Sequence, residues 1–311
     1  MKLRIATRKS RLALAQSRWV AGQLVAAEPG LAVDLVEMVT EGDRLTEGPL
    51  VDRGGKGLFV SELEQAVLGG RADLAVHSMK DLPGELARGL VIASVPQRED
   101  PRDALVTRDG SELDDLVAGS RVGTASPRRA LQLRRVRNDL DYKMVRGNVD
   151  TRLARLDAGD FDAIVLACAG LARLGLGDRP MWRLPMAMSL PAVGQGALAI
   201  EARAADSALV ELLGRIEHAP SRSAAEAERA FLHALGGDCR TPLAGHARFD
   251  AGLTRLAFDG WVGSPHDERQ VRAGAERYVD PASDDLLEVG RALGREVADI
   301  LLAQGARELL G

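Results

Sequence analysis

Short apolar runs alternate with helical patterns along the first two thirds of this chain, and this alternation constrains its fold more than any other feature. The predicted strands are residues 3–6, 33–39, 72–77, 121–123 and 163–167. The predicted helices between them are residues 11–24, 61–68 and 127–137. Strands that alternate with helices form largely parallel sheets, with functional loops at the carboxyl ends of the strands. The sequence therefore predicts an α/β fold here, with a second unit of the same style after the polar segment 97–103.

Two of the predicted helices begin with capping signals. Ser61 is followed three residues later by Glu64, a spacing that predicts a reciprocal capping box. Ser126 precedes Pro127, and this order predicts Ser126 as the N-cap and Pro127 as the first helical residue. We therefore expect helices to start at these two points.

The pattern changes from about residue 219. An alanine-rich helix is predicted for residues 224–235 and a long amphipathic helix for residues 284–302. Between them, residues 243–249 and 253–262 are predicted to form strands. We expect a separate, small α+β domain at this end of the chain.

Composition excludes several functional classes. With 311 residues, 46% of them hydrophobic and 28% charged, the chain suits two or three folded domains. Its net charge of −4 provides no general attraction to nucleic acid or to an anionic membrane. The apolar stretch 12–15 is too short for a signal peptide, and no later run is long enough to span a membrane. We therefore predict a cytoplasmic protein with no membrane segment.

The two cysteines need separate explanations, because their spacing fits neither a zinc site nor a redox dithiol. Cys168 lies in an apolar predicted strand and is interpreted as a small buried hydrophobic residue. Cys239 follows Gly237 and Asp238 in a predicted loop and precedes Arg240. A loop cysteine beside a cation can be reactive, although a cysteine with no role is an equal alternative.

Arginines collect near the ends of the predicted elements. Arg128 and Arg129 open a predicted helix, where backbone N–H groups and the helix dipole already favour an anion. Further candidates in such positions are Arg8, Ser10, Arg146, Gly147, Arg152 and Arg173. Arginine binds carboxylates through two parallel hydrogen bonds, so the set indicates a ligand with many carboxylates. The alternative for any single arginine is a solvated surface side chain.

Two other interpretations of these basic residues remain open. A nucleic-acid interface at residues 128–137 is one, but a 3% aromatic content offers few stacking platforms. A protein that binds a dicarboxylate reversibly in a cleft, without chemistry, is the other. This second alternative would not need Asp81, whereas an enzyme could use it as an acid or base. Asp81 follows the predicted strand 72–77, where a carboxylate can be directed into a cleft. The residues alone favour a turn or helix cap for Asp81.

Six ordered segments of the chain resemble the porphobilinogen deaminase family. They are residues 4–10 (RIATRKS), 54–59 (GGKGLF), 75–81 (AVHSMKD), 146–149 (RGNV), 190–196 (LPAVGQG) and 237–239 (GDC). The matches extend over nearly the whole chain, and six of them in order are highly specific. The resemblance implies two α/β domains similar to the halves of type II periplasmic binding proteins, with the active cleft between them, and a small C-terminal α+β domain. It implies domain 1 at residues 1–98 plus 196–216, domain 2 at 99–195 and domain 3 at 217–311.

The same resemblance implies a transferase of tetrapyrrole biosynthesis. The family joins four porphobilinogen molecules head to tail on a covalent dipyrromethane cofactor and then releases the linear tetrapyrrole hydroxymethylbilane by hydrolysis. By that resemblance Cys239 carries the cofactor through a thioether, Asp81 is the catalytic aspartate, and Lys80 positions Asp81 or a substrate carboxylate. The implied cofactor-binding set also contains Arg8, Ser10, Ser78, Lys80, Asp81, Thr124, Ser126, Arg128, Arg129, Arg146, Gly147, Arg152, Arg173 and Gln195. Lys56 and Phe59 belong to the family's mobile loop.

The residue types agree with this chemistry. Each porphobilinogen loses ammonia before it condenses, and positive charge develops on pyrrole nitrogens that a fixed carboxylate such as Asp81 can stabilise. Every pyrrole carries an acetate and a propionate, so the growing chain is a polyanion that arginines neutralise. The reaction requires no metal. We expect a monomer whose substrate is porphobilinogen, with no nucleic-acid or membrane partner, and a hand-over of the product to uroporphyrinogen-III synthase stays open.

Three positions depart from the usual family pattern. Ala125 stands where a hydroxyl is common, Pro127 where an apolar side chain is usual, and Asp238 where glycine is frequent. Pro127 suits a helix start, whereas Ala125 removes one expected substrate hydrogen bond. The charge of Asp238 opposes that of Arg240 in its effect on the neighbouring thiol.

Overall fold

The computed structural model describes residues 2–40, 60–237 and 241–310, and the chain divides into two compact units. Unit 1 consists of Met1–Arg98 and Ala197–Arg222, and unit 2 consists of Glu99–Gly196 and Ser223–Gly311. The chain therefore leaves unit 1 after Arg98, returns to it at Ala197, and leaves it again after Arg222 to end in unit 2.

Unit 1 is built around a five-stranded sheet. Its strands are β1 (Lys2–Arg8), β2 (Ala32–Met38), β3 (Leu74–Ser78), β4 (Leu90–Ser94) and β10 (Leu198–Arg203). Its helices are α1 (Arg11–Ala27), α2 (Ser61–Leu68) and α6 (Ser207–Gly214), with a 3₁₀ turn at Met79–Asp81. The strand order is β2-β1-β3-β10-β4, and β10 is antiparallel to both of its neighbours.

Two apolar layers cover this sheet, because side chains of successive strand residues point to opposite faces. Ile5 belongs to the layer that contains Val20 of α1, whereas Ala6 belongs to the layer that contains Leu63 of α2. Strands buried on both faces produce the continuous apolar runs seen in the sequence.

The first part of unit 2 contains a second five-stranded sheet. Its strands are β5 (Asp103–Val106), β6 (Arg121–Gly123), β7 (Asp141–Lys143), β8 (Ala163–Ala167) and β9 (Met181–Arg183). Its helices are α3 (Pro127–Arg134), α4 (Val149–Asp157) and α5 (Cys168–Arg173). The strand order is β7-β6-β8-β5-β9, and β5 is antiparallel to both of its neighbours.

The two five-stranded sheets share one plan. Each has three parallel strands, then one antiparallel strand, then an edge strand. In each unit the antiparallel strand is the first strand after the chain crosses over, namely β5 after Glu99 and β10 after Ala197. The predicted α/β class is confirmed, and it takes the form of two sheets with the same strand order.

The last part of the chain, from residue 219 onwards, contains a three-stranded antiparallel sheet with helices. The strands β11 (Leu243–Phe249), β12 (Arg255–Gly263) and β13 (Gln270–Tyr278) follow one another in space, and the helices are α7 (Ala219–Ala234), α8 (Leu286–Ala303) and α9 (Ala306–Leu310). The core centres on Phe231 and Phe258, whose rings lie 5.0 Å apart. This confirms the small C-terminal α+β part, although β13 was not predicted because charged residues interrupt its apolar pattern.

Of the two capping predictions, the one at Ser61 and Glu64 is wrong. Val60 occupies the N-cap position of α2 without a side-chain hydrogen bond. Glu64 Oε1 instead accepts a hydrogen bond from the backbone N–H of Ala87 at 3.1 Å. A donor from a distant segment thus replaces the local cap. The prediction at Ser126 is confirmed, because its hydroxyl accepts the backbone N–H of Arg129 at the start of α3.

Candidate active site

Asp81 ends the short turn that directly follows strand β3. Ser78 closes the strand, and the backbone N–H of Met79 donates to Ala197 O on the neighbouring chain segment at 3.0 Å. The Met79 side chain is buried, whereas Asp81 itself is exposed. The turn is therefore anchored at its base and presents the carboxylate at the surface of unit 1.

A cavity of about 60 Å³ adjoins this turn. The polar residues in its wall are Arg8, Ser10, Gln16, His77, Ser78 and Asp81. Four of them were predicted as site residues, and they come from two separate segments of the sequence, 8–10 and 78–81. The structure thus brings Arg8, Ser10, Ser78 and Asp81 to one place within unit 1.

The elements around this cavity hold its side chains in defined positions. Arg8 is the last residue of β1, which extends two residues beyond the strand predicted at 3–6. Ser10 is the N-cap of α1, and its hydroxyl accepts the backbone N–H of Ala13 at 3.3 Å. The side-chain amide of Gln16 donates to Ser78 Oγ at 2.9 Å. Sequence reasoning missed Gln16, whose only signal is a polar residue on the buried face of an amphipathic helix.

A second group of predicted residues surrounds Asp103 in unit 2. The Asp103 carboxylate is fully buried at the start of β5. Arg128 Nη1 donates to Asp103 Oδ2 at 2.9 Å, and Arg129 Nε and Nη2 donate to Oδ1 at 2.9 and 2.7 Å. Ser189 Oγ and Gln195 Nε2 each donate to the same carboxylate at 2.9 Å. Two arginines and one aspartate therefore leave this cluster with one surplus positive charge.

The titration of this cluster follows from its burial and its ion pairs. Burial alone would raise the pKa of Asp103, but the charges and hydrogen bonds of Arg128 and Arg129 outweigh burial and hold that pKa well below its usual range. Burial lowers the pKa of Arg128, and the charge of Asp103 opposes this effect. Asp103 was not predicted as a site residue, because its role depends on partners 25 or more positions away in the chain.

Arg152 lies beside this cluster, where the charge of Arg129 acts on it. It is partly buried on α4, and its Nε donates to Gly147 O at 2.8 Å. Within residues 2–40, 60–237 and 241–310, no carboxylate forms an ion pair with it. Burial, together with the charge of Arg129, lowers the pKa of Arg152 to about 10. A cation held in this way is stabilised by an added anion.

Gly147 has a positive φ of +102°, directly before the N-cap of α4. A Cβ there would lie 2.9 Å from the Thr151 side chain, so glycine suits both the conformation and the space. The Asn148 side chain accepts the backbone N–H of Thr151 and thereby caps α4. This geometry fixes the start of the helix that carries Arg152, and Arg146 lies partly buried just before it.

Arg173 and Gln195 form hydrogen bonds within the first part of unit 2. Arg173 Nη2 donates to Gly196 O at 2.6 Å, and burial lowers the pKa of Arg173 to about 10 against the opposing charge of Glu99. Gln195 is buried and donates to Pro101 O at 2.7 Å as well as to Asp103. Gln195 therefore belongs to the buried polar network of unit 2.

Thr124 and Ser126 lie between β6 and α3. Thr124 is buried, and its hydroxyl accepts the backbone N–H of Ser126 at 3.2 Å. Pro127 is the first residue of α3, and Ala125 is exposed. The two hydroxyl-bearing residues thus organise the helix start that carries Arg128 and Arg129.

Several predicted residues lie outside the described part of the chain. They are Lys56, Phe59, Asp238, Cys239 and Arg240. The other cysteine, Cys168, is buried as predicted, but it begins α5 and does not lie in a strand. Burial raises the pKa of the Cys168 thiol to about 11, so this thiol is a poor nucleophile near neutral pH.

The arginine set of unit 2 suits an anionic ligand. Among the described residues no carboxylate neutralises Arg152 or the surplus charge around Asp103, so added negative charge would stabilise both. A dipyrromethane group carries acetate and propionate side chains, so the donor types present fit such a group. No helix within residues 2–40, 60–237 and 241–310 is long and apolar enough to cross a membrane.

Comparisons with known protein families identify similar proteins over almost the full length. Residues 3–211 match the family model described as "Porphobilinogen deaminase, dipyromethane cofactor binding domain". Residues 223–302 match the model described as "Porphobilinogen deaminase, C-terminal domain".

Two curated relatives illustrate the similarity. Porphobilinogen deaminase of Sorangium cellulosum is 54% identical over 296 residues, which cover 95% of this chain and 98% of that relative. Porphobilinogen deaminase of Brevibacillus brevis is 45% identical over 309 residues, which cover 99% of this chain and 96% of that relative.

Two solved structures that the comparison found share little sequence with this chain. The VFT2 domain of BvgS from Bordetella pertussis has a TM-score of 0.40 at 16% identity, covering 69% of this chain and 86% of that domain. A putative methionine-binding lipoprotein from Bacillus subtilis has a TM-score of 0.40 at 14% identity, covering 68% of this chain and 88% of that protein chain.

Proposed function

The chain belongs to the porphobilinogen deaminase family, and on that premise we propose that it joins four porphobilinogen molecules into hydroxymethylbilane on a dipyrromethane cofactor bound through Cys239. The observation that carries the proposal is Arg152, a partly buried cation whose pKa is lowered by burial and by the charge of Arg129. Together with the surplus charge around Asp103, it supports a site for a ligand with several carboxylates.

Unit 1 supplies the carboxylate that the chemistry needs. Departure of ammonia and formation of each new carbon–carbon bond both place positive charge on pyrrole nitrogens. Asp81 stabilises that charge because it is fixed at the end of an anchored turn and accepts hydrogen bonds from pyrrole N–H groups. In the same role it can accept a proton from the substrate or return one. Lys80 positions Asp81 or binds a substrate carboxylate.

The remaining residues bind and orient the polyanion. Arg146, Arg152 and Arg173 neutralise acetate and propionate groups, and Arg128 and Arg129 contribute the surplus charge left after pairing with Asp103. Arg8, Ser10 and Ser78 bind the substrate at the cavity beside Asp81. When bound, the dipyrromethane supplies the free α-carbon at which the chain grows.

Attachment at Cys239 balances without a further reactant. Each porphobilinogen loses one ammonia as its aminomethyl carbon forms a bond, first to the cysteine sulfur and then to the α-carbon of the first ring. The thiol proton and the first α-hydrogen are the protons released. The attached group therefore equals two porphobilinogen molecules less two ammonia molecules.

Intact-protein mass spectrometry tests this proposal. We expect the freshly purified protein to carry the mass of two porphobilinogen molecules less two ammonia molecules, and Cys239→Ser to lack it. Cys168→Ser is the matched control, because it removes the chain's other cysteine and should keep the added mass. A wild-type protein that stays unmodified after incubation with porphobilinogen and releases no ammonia would instead indicate a cleft-binding protein without chemistry.

Three further expectations belong to the same proposal. We propose that the chain has three domains at residues 1–98 plus 196–216, 99–195 and 217–311, that it is a monomer, and that it acts in the cytoplasm. We also propose a hand-over of hydroxymethylbilane to uroporphyrinogen-III synthase. Light scattering of the purified protein tests the monomer, and co-sedimentation with that synthase tests the hand-over.

A further inference from the structure

A buried histidine and a buried glutamate meet on one face of the unit 1 sheet. His77 Nε2 lies 3.1 Å from Glu201 Oε2. In the antiparallel pair of β3 and β10, Ala199 is opposite His77 and Ala75 is opposite Glu201. The two polar residues are therefore diagonal neighbours on the same face, and the small alanines beside them leave room for their side chains.

Burying this pair of polar side chains in the core costs free energy. Glu201 is fully buried and His77 is 6% exposed. Glu201 Oε1 is a buried oxygen for which the described residues provide no hydrogen-bond donor. Glu64 of α2 faces the pair, and burial, with a further contribution from the charge of Glu201, raises the pKa of Glu64. Well-packed apolar residues would stabilise such a position at least as well, so packing alone does not explain the pair.

The pair lies directly beneath the turn that carries Asp81. His77 precedes Ser78, the last residue of β3, and the turn Met79–Asp81 follows at once. Two contacts join the segment 197–201 to this part of the fold. Ala197 O accepts the N–H of Met79 in the turn, and Glu201 of β10 contacts His77 of β3. His77 also contributes to the wall of the cavity that Asp81 adjoins. The contact therefore connects β10 to the base of the proposed catalytic turn.

We propose that Glu201 and His77 are positioning residues of this active site. Glu201 holds the His77 ring, and the ring fixes the Ser78–Asp81 turn in the position that the reaction needs. This inference rests on the proposed function. Neither side chain has to touch the substrate. Their effect is on turnover, through the placement of Asp81, and not on binding of the porphobilinogen carboxylates.

A matched pair of substitutions at His77 separates positioning from packing. His77→Gln keeps an N–H donor at about the reach of Nε2, whereas His77→Asn is one methylene shorter and cannot reach Glu201. Both are neutral amides. We expect His77→Gln to keep kcat within about threefold of the wild type and His77→Asn to lower kcat at least tenfold, with KM for porphobilinogen within twofold in both. Equal kcat values for the two variants, or a loss that appears in KM, would overturn the proposal.

A double-variant cycle supplies the second measurement. Because both residues act through one contact, Glu201→Ala and His77→Asn together should lower kcat no further than the more damaging single variant. Multiplying losses would overturn the inference. If Glu201→Ala does not fold, Glu201→Gln is measured by itself as the conservative variant. Its amide oxygen can still accept from His77, so it should keep most of the wild-type kcat, and a tenfold loss would overturn the inference.

Two controls identify the cause of any loss. Ser17→Ala removes a buried 2.8 Å hydrogen bond to Thr7 in the same unit, so it should lower stability without lowering kcat of the folded enzyme. The wild-type protein is assayed first for ammonia release from porphobilinogen. Absence of that release would contradict the proposed function itself, whereas an active wild type with unaffected His77→Asn turnover would contradict only the positioning role.

Discussion

Asp103 Oδ1 lies 2.7 Å from Arg129 Nη2 and 2.9 Å from Arg129 Nε, inside a core where the carboxylate is fully buried. Removal from water costs free energy for each charge, and the stronger attraction between anion and cation in the interior offsets that cost. Losing either partner leaves an uncompensated charge in the interior of unit 2.

We therefore predict that Asp103→Ala strongly destabilises the protein. The expected fall in the free energy of unfolding is about 3–5 kcal/mol, because two arginines and a serine lose their common acceptor. Urea unfolding followed by circular dichroism measures it. Asp34→Asn is the matched control, since Asp34 pairs with Lys2 at the surface, and its cost should stay below about 1 kcal/mol. Similar losses from both variants would contradict the prediction.

Asp103 should also make stability sensitive to acid. Its pKa in the folded protein lies well below the value of about 3.9 expected for an unfolded chain. The folded state therefore binds the proton less readily, so the contribution of Asp103 is complete above about pH 5 and is lost as the pH falls below 3.9. Urea unfolding between pH 5 and pH 3 should show a steeper decline for the wild type than for Asp103→Asn. Equal declines in the free energy of unfolding of the two proteins would contradict this role of Asp103.

Arg152 should lower the stability of the cofactor-free protein while it supports ligand binding and turnover. Burial lowers its pKa to about 10, so folding disfavours its charge. Arg152→Met keeps much of the side-chain volume and should raise the unfolding free energy of cofactor-free protein by about 1 kcal/mol. The same variant should bind the polyanionic ligand more weakly and lose turnover. Unfolding and ammonia-release assays on one preparation measure both, and a variant that is less stable would refute the charge argument.

Asp81 should matter for chemistry and not for stability, because it is exposed at the end of an anchored turn. We expect Asp81→Asn to lower kcat by about 10²-fold or more, the usual effect of removing a stabilising group from a transition state. Asp81→Glu should retain part of the rate, since it keeps the charge. Single-turnover ammonia release measures both, and unchanged unfolding midpoints confirm that the fold is intact. A fully active Asn variant would eliminate Asp81 as the catalytic carboxylate.

Gly196 should tolerate no side chain. It has a φ of +88°, and a Cβ would lie 2.4 Å from the backbone oxygen of Glu99. Gly196→Ala should therefore lower the free energy of unfolding by about 3 kcal/mol or more. Gly30→Ala is the control, because Gly30 has a φ of +91° but open space around it, and its cost should be only about 1 kcal/mol. Equal costs would show that backbone conformation, not the clash, controls both sites.

Local chemistry made part of this protein predictable from its sequence. Apolar runs bounded by polar loops correctly indicated strands such as β8, and Ser126 followed by Pro127 correctly marked the start of α3. Each of these signals depends on residues close together in the chain. The sequence by itself also determined the family, because six ordered motifs are specific enough to identify it.

Only the tertiary structure decided which polar groups meet. Glu64 left its predicted local partner because the backbone of Ala87 offered a donor, and Asp103 gained its role from two arginines 25 and 26 positions away. Glu201 reaches His77 across 124 positions, by way of a strand that returns to unit 1 after the second sheet is complete. Such contacts depend on the strand order of a finished sheet, and no periodicity or spacing in the sequence encodes that order directly.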